Sequence, residues 1–163
     1  MLAPPRSATG DALHRARLLA LAVPVALLGG ALLSEYVGKL YPCEMCWWQR
    51  YPHALAIPVA ILALLSPLTA PRTRLLTLLA AALIAVSGAI GVFHAGVEYG
   101  WWEGLTTCTT NGATSLDDIM AVPLVRCDQV HWSLAGISLA GFNAIFSITG
   151  AVAILLLARR KSA

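Results

Sequence analysis

Charge is scarce in this sequence. Only 12% of its 163 residues are Asp, Glu, Lys or Arg, whereas 58% are hydrophobic. The mean hydropathy of +0.74 exceeds what a water-soluble domain carries, so the chain reads as a membrane protein. It also lacks any internal period of roughly 20 to 50 residues, which excludes a solenoid, and it has no low-complexity tract. Cysteine is limited to four residues, and their placement carries most of the functional argument.

Crossing the hydrocarbon takes about 20 mostly apolar residues per helix. Runs of this kind occur at residues 18–37, 48–65, 75–97 and 133–158. The second is short and carries Arg50 and His53 near its start. A cleaved signal peptide is the alternative for the first run, but its apolar part is long for one and no A-x-A site follows. The expected architecture is all-α: a single polytopic four-helix bundle over residues 1–163. Its two outward loops cover residues 38–47 and 98–132.

Of the eleven Lys and Arg, eight fall on one side of this arrangement. Arg6, Arg15 and Arg17 precede the first run, Arg72 and Arg74 separate the second and third, and Arg159, Arg160 and Lys161 follow the fourth. The positive-inside rule makes that side cytoplasmic, with both termini there. The basic residues thus report topology, and no nucleic-acid partner is expected. Small residues recur at four-residue spacing in Gly30 and Ser34, in Ser87, Gly91 and Ala95, and in Gly136, Ala140 and Ala144. That spacing lets helices approach closely in a membrane. In the second outward loop, Ser115 and Asp118 resemble a capping box ahead of Leu116, Ile119 and Met120, so a short surface helix or a plain loop fits there.

All four cysteines, Cys43, Cys46, Cys108 and Cys127, lie in the outward loops, on the side where disulfides persist in a bacterium. An even count divided two and two suggests the pairs Cys43 with Cys46 and Cys108 with Cys127. A bridge between Cys43 and Cys46 closes too small a loop to stabilise much. Cys-x-x-Cys at a helix start is instead the spacing of redox-active pairs, in which the helix N-terminus stabilises a thiolate and the second thiol resolves a mixed disulfide. Covalent haem attachment needs a histidine directly after the pair, and Trp47 stands there. A zinc site would want a second close pair, which Cys108 and Cys127 do not form, so no metal site is assigned. Those two serve either as a structural loop closure or as a disulfide open to attack by a partner protein.

If the second helix starts near Cys46, then Cys46, Arg50 and His53 share one face at i, i+4 and i+7. Snorkelling to the interface beside Trp47 and Trp48 is the plain account of Arg50. The functional account is that a guanidinium beneath a dithiol hydrogen-bonds the oxygen of a lipid-soluble electron acceptor and stabilises charge developing there. His53 could supply a proton and His94 could approach the same acceptor, or both could be packed core histidines. Asn143 reads as an interhelical hydrogen-bonding residue.

With "PCEMCWWQRYPH" opening the second run, "HAGVEYGWWEG" closing the third and "CDQVHWSLAGISLAGFNAIFS" entering the fourth, the sequence resembles the DsbB family of bacterial inner-membrane quinone reductases. The resemblance covers most of the chain. It implies a relay in which a reduced periplasmic DsbA-like oxidase, a thioredoxin-fold protein, attacks the Cys108–Cys127 disulfide. Cys43 and Cys46 then reoxidise those thiols and pass two electrons to ubiquinone or menaquinone held near Arg50. By resemblance Cys108 forms the mixed disulfide with the oxidase, and Cys46 is the cysteine next to the quinone. The second outward loop is shorter than in the best-known members, which limits how far Cys127 is expected to reach toward Cys43.

The rival enzyme reading is a quinone reductase of the vitamin K epoxide reductase type, whose Cys-x-x-Cys pair is expected late in its bundle. The rival from another class is a non-catalytic membrane scaffold with structural disulfides or a metal site.

Overall fold

A computed structural model of the chain describes residues 8–105 and 125–159. Within them the chain forms α1 (Ala8–Tyr36), α2 (Glu44–Leu65), α3 (Pro71–Glu98), a two-residue-strand hairpin of β1 (Ser133–Leu134) and β2 (Ile137–Ser138), and α4 (Leu139–Arg159). Long apolar segments become helices because a helix satisfies its own backbone polar groups, which hydrocarbon cannot do. Among the described residues three helices, α1 from Gly10, α3 and α4, are long and apolar enough to cross a membrane.

The four helices pack as a closed ring. Each touches its sequence neighbour, α4 returns to α1, and the α1–α3 diagonal is thin. The short links after α1 and α2 make consecutive helices antiparallel. One half of the interior is built mainly from alanine: Ala16 and Ala20 of α1, Ala56 and Ala60 of α2, Ala80 and Ala81 of α3, and Ala151 and Ala158 of α4, with Ile84 and Ile154 filling the remaining space. Large apolar side chains point outward instead, among them Leu33, Leu55, Leu62, Leu75, Phe146 and Leu156.

Small residues set the closest approach. A Cβ at Gly91 of α3 would lie 3.0 Å from the Ala140 carbonyl oxygen, the Ala144 nitrogen and the Asn143 Nδ2 of α4. One expected small-residue stripe therefore faces another across this contact. Gly30 differs, with nothing within 4 Å of a Cβ placed there.

Two features depart from the sequence reading. Arg15 and Arg17 lie inside α1, which starts well before residue 18. Arg17 is buried, and its guanidinium donates to the carbonyls of Leu64 and, at 3.1 Å, Ser66. It thereby satisfies orphan acceptors at the end of α2, where a cation also suits the helix dipole. The fourth helix begins at Leu139 rather than Ser133. Ala135 (φ 51°) and Gly136 (φ 78°) turn the chain into a tight hairpin, pairing Ser133 with Ser138 and Leu134 with Ile137. Two consecutive positive φ values are what a two-residue hairpin turn demands. Ser138 Oγ then accepts from the Gly141 amide at 3.1 Å, starting α4 as a serine N-cap does.

Tyr99, just past α3, holds this hairpin. Its hydroxyl donates to the Gly136 carbonyl and accepts from the Ser138 amide, both at 2.9 Å. Trp102 folds back over Gly96, where a Cβ would meet its ring at 2.0 Å, and stacks on Phe93. Cys108 and the expected surface helix around Ser115 to Met120 lie outside the described residues.

Candidate functional site

The site forms where α2 begins. Cys43 is the N-cap residue, with extended backbone (φ −75°, ψ 176°) and no side-chain cap bond. Its sulfur points to other partners: Cys46 Sγ at 3.3 Å and His94 Nε2 at 3.5 Å. The sulfur separation is that of a hydrogen bond and well beyond the ~2.05 Å of a disulfide. Cys43 is 3% exposed and Cys46 is half-buried.

Cys127 reaches this pair in spite of the short loop. It is fully buried in one cluster with Cys43, Met45, Val97 and Val125, and Cys46, Trp48 and Phe93 pack against that cluster. It hydrogen-bonds the Cys43 side chain, and its backbone bonds the His94 ring. Hydrogen bonds with Cys127 and Cys46, together with burial, push the Cys43 thiol up from the ordinary cysteine range.

Below the sulfurs lies a cavity of about 260 Å³ between α1, α2, α3 and α4. Cys46, Arg50 and His53 all line it, as their spacing on one helix face requires, and His94 and Asn143 face them across it. Its walls are otherwise largely apolar, with Leu27, Ala31, Leu139 and Phe142 among them.

Arg50 is fixed from three directions. It forms an ion pair with Glu35 of α1, donates to the Ala31 carbonyl at 3.2 Å, and sits 4.9 Å from the Trp47 ring centroid. That last distance is within cation–π range. The guanidinium is therefore drawn into the bundle rather than snorkelling out of it.

His94 and His53 belong to one buried polar network. Gln49 Nε2 bonds His94 Nδ1 at 2.8 Å, and Asn143 Nδ2 donates to Gln49 Oε1 at 2.8 Å. Asn143 Oδ1 lies 3.0 Å from His53 Nε2 and accepts from Ser147 Oγ at 3.0 Å. Ser87 joins α3 to α2 by donating to the Gln49 carbonyl at 2.8 Å.

Glu35 and Gln49 were missed by the sequence reading, although each left a signal. Glu35 is an acidic residue near the end of an apolar run, where an unpaired charge would be costly. Gln49 directly precedes Arg50 in a segment otherwise read for its cysteines. Asn143 does make the interhelical hydrogen bonds expected of it.

Three donor atoms from Cys43, Cys46 and His94 lie within 4.8 Å of one another, so the same cluster has the shape of a soft-metal site. A buried dithiol beside a third thiol can also exchange disulfides, and an apolar cavity with one fixed guanidinium can hold a planar oxygen-bearing ring.

A family model described as disulfide bond formation protein DsbB matches residues 14–157. The disulfide bond formation protein B of Polaromonas naphthalenivorans is 30% identical over 157 residues, covering 88% of this chain and 91% of that protein. Its namesake in Marinobacter nauticus is 29% identical over 150 residues, covering 83% of this chain and 86% of that protein. An uncharacterised protein of Rickettsia prowazekii is 23% identical over 139 residues, covering 80% and 79%. No solved structure matches the chain. With a match that runs from early α1 to the last turns of α4 and takes in the three converging cysteines, the chain belongs to the DsbB family.

Proposed function

We propose that this protein is a thiol:quinone oxidoreductase. It reoxidises a periplasmic DsbA-like thioredoxin-fold oxidase and passes the electrons to ubiquinone or menaquinone. The observation that carries this reading is the packing of Cys127 against Cys43 and Cys46, which in turn line a cavity together with Arg50 and His53.

The cavity suits a quinone ring in its chemistry. Its walls are largely apolar, Arg50 offers N–H donors, and the buried Nδ1 of His53 has no hydrogen-bond partner among the described residues. A bound quinone supplies a two-electron, two-proton acceptor. The protein's own groups do the rest. Cys108 takes the attack of the reduced oxidase, and Cys127, packed on Cys43, hands the exchange to the Cys43–Cys46 pair. Cys46 faces the cavity, while Arg50 holds the ring oxygen and favours negative charge there. His94 contacts Cys43 and orients it.

In this reading the enzyme lies in a bacterial inner membrane, with both termini cytoplasmic and the cysteine loops periplasmic. The basic residues at one end of the bundle support that orientation. The 22 residues of α2 extend about 33 Å, enough to serve as a fourth span.

The test mixes a reduced DsbA-like protein with the purified chain in detergent and follows oxidation of the partner with and without decylubiquinone or menadione. Quinone-dependent turnover that is lost in Cys46→Ser and Cys127→Ser, and reduced in Arg50→Ala, is the expected result. Full activity in Cys46→Ser rejects the relay.

The clustering of Cys43, Cys46 and His94 favours one second reading, a metal centre. It predicts stoichiometric zinc in the purified protein and no response to either quinone.

A further inference from the structure

The polar interior is one chain of hydrogen bonds, and its direction can be read. Gln49 Nε2 lies 3.0 Å from the Met45 carbonyl oxygen, and Asn143 Nδ2 lies 3.2 Å from the Ser87 carbonyl oxygen. A backbone carbonyl only accepts, so each amide must turn its nitrogen toward it; reversing either would set two oxygens against each other.

With both amides oriented, the hydrogens along the chain are assigned. Gln49 donates to His94 Nδ1 at 2.8 Å, which leaves the hydrogen of the neutral ring on Nε2, 3.5 Å from Cys43 Sγ. Cys43 in turn donates to Cys46 at 3.3 Å. At the other end, Asn143 has its nitrogen committed to Gln49 and Ser87, so its Oδ1 accepts from His53 Nε2 at 3.0 Å. His53 therefore carries its hydrogen on Nε2. Its Nδ1 is buried and has no partner among the described residues, in a side chain 3% exposed that lines the cavity. Every donor in this chain points from His53 toward Cys46.

We propose that Gln49 and Asn143 are positioning residues that hold the two histidines in one hydrogen pattern: His94 keeps its hydrogen on Nε2, where the Cys43 sulfur and the Cys127 backbone meet it, and His53 offers a bare Nδ1 to a hydroxyl of the ligand. Arg50 can only donate, whereas His53 Nδ1 accepts. The two lie three residues apart on one helix face, about 4.5 Å along the axis. The cavity thus presents opposite hydrogen-bond polarity at two nearby points, a pattern that selects a hydroxylated ring over one whose oxygens are all capped. His53 can also take a proton at Nδ1 without breaking any bond of the chain, because Nε2 stays on Asn143.

The identity of the ligand rests on the quinone reading; the hydrogen pattern does not. The first measurement therefore uses no ligand: nitrogen-15 NMR of the imidazoles in the full chain, solubilised and reduced. The expected spectrum has both His53 and His94 protonated at Nε2. In Gln49→Glu, His94 should switch to carry a hydrogen on Nδ1 while His53 is unchanged. In Asn143→Ala, His53 should populate both tautomers while His94 keeps its pattern. Either variant suffices if the other does not fold. Hydrogen on Nδ1 of His53 in the parent protein overturns the proposal, as do tautomers that stay fixed in both variants.

The second measurement titrates decylubiquinol and its dimethyl ether while following the His53 Nδ1 resonance. Binding of the ether about tenfold weaker, the scale of one lost buried hydrogen bond, is expected. Equal binding overturns the acceptor role. If neither compound binds while the tautomers are as stated, the hydrogen pattern is upheld and the quinone reading alone fails.

Discussion

Glu35, in the last turn of α1, pairs with Arg50 of α2, and the two side chains are only 15% and 8% exposed. A buried pair adds little net stability over an apolar replacement, but removing one partner strands the other charge. Glu35→Gln is expected to destabilise the protein by about 3 kcal/mol, whereas Glu35→Leu combined with Arg50→Leu recovers much of that loss. Denaturation of both variants in detergent checks this. A Glu35→Gln protein as stable as the parent would show that solvent or lipid headgroups already neutralise Arg50.

Cys43 should be the sluggish thiol of its pair. Hydrogen bonds with Cys127 and Cys46, reinforced by burial, raise its pKa, so less thiolate is present at any given pH and alkylation slows. In the reduced protein, the iodoacetamide rate at Cys43 should still be rising with pH well above about 8.5, where an ordinary cysteine is half ionised. In Cys127→Ala the profile should move down. Mass spectrometry of timed, quenched samples reads both. A Cys43 profile centred at the ordinary value would contradict the hydrogen-bonded arrangement.

Gly91 and Gly29 should respond oppositely to alanine. At Gly91 the added carbon would meet α4 backbone at 3.0 Å and crowd Asn143, whereas at Gly29 it meets nothing within 4 Å. Gly91→Ala is expected to cost about 1–3 kcal/mol through overpacking, and Gly29→Ala to gain up to about 1 kcal/mol from helix propensity. Unfolding midpoints of the two variants decide the matter, and equal midpoints would argue against the close α3–α4 contact.

Tyr99→Phe removes one donor and one acceptor from the hairpin that starts α4. The expected loss is about 1–2 kcal/mol, two hydrogen bonds of ordinary net worth. It should appear locally, as faster hydrogen exchange at the Ser138 amide. Unchanged exchange there would mean that the hairpin stands without Tyr99.

What was legible in the sequence was periodic or local. The apolar runs marked the helices, and the spacing of Cys46, Arg50 and His53 placed them on one face, where all three meet the cavity. Cys-x-x-Cys beside Pro42 marked the start of α2. What escaped depended on partners distant in sequence. Glu35 is meaningful only once α1 lies against Arg50, and Gln49 only once α3 and α4 bring His94 and Asn143 to it. The hairpin escaped for a different reason. Its residues are apolar enough to read as more helix, and only the backbone angles of Ala135 and Gly136 reveal the turn. The approach of Cys127 to Cys43 was underestimated because loop length measures reach along the chain, whereas burial beside Met45 and Val97 is what holds the sulfurs together.

The alanine-rich half of the bundle has a consequence for traffic through it. Beyond His53 and Ser147, the adjoining interior is formed by Ala56, Ala60, Ala80, Ala81, Ile84, Ala151 and Ile154. The polar well is thus floored with hydrocarbon. Thr77, buried one turn further along α3, donates its hydroxyl to the Thr73 carbonyl of its own helix, so the hydrogen-bonded chain that links His53 to Cys46 ends at this apolar layer rather than running on through it.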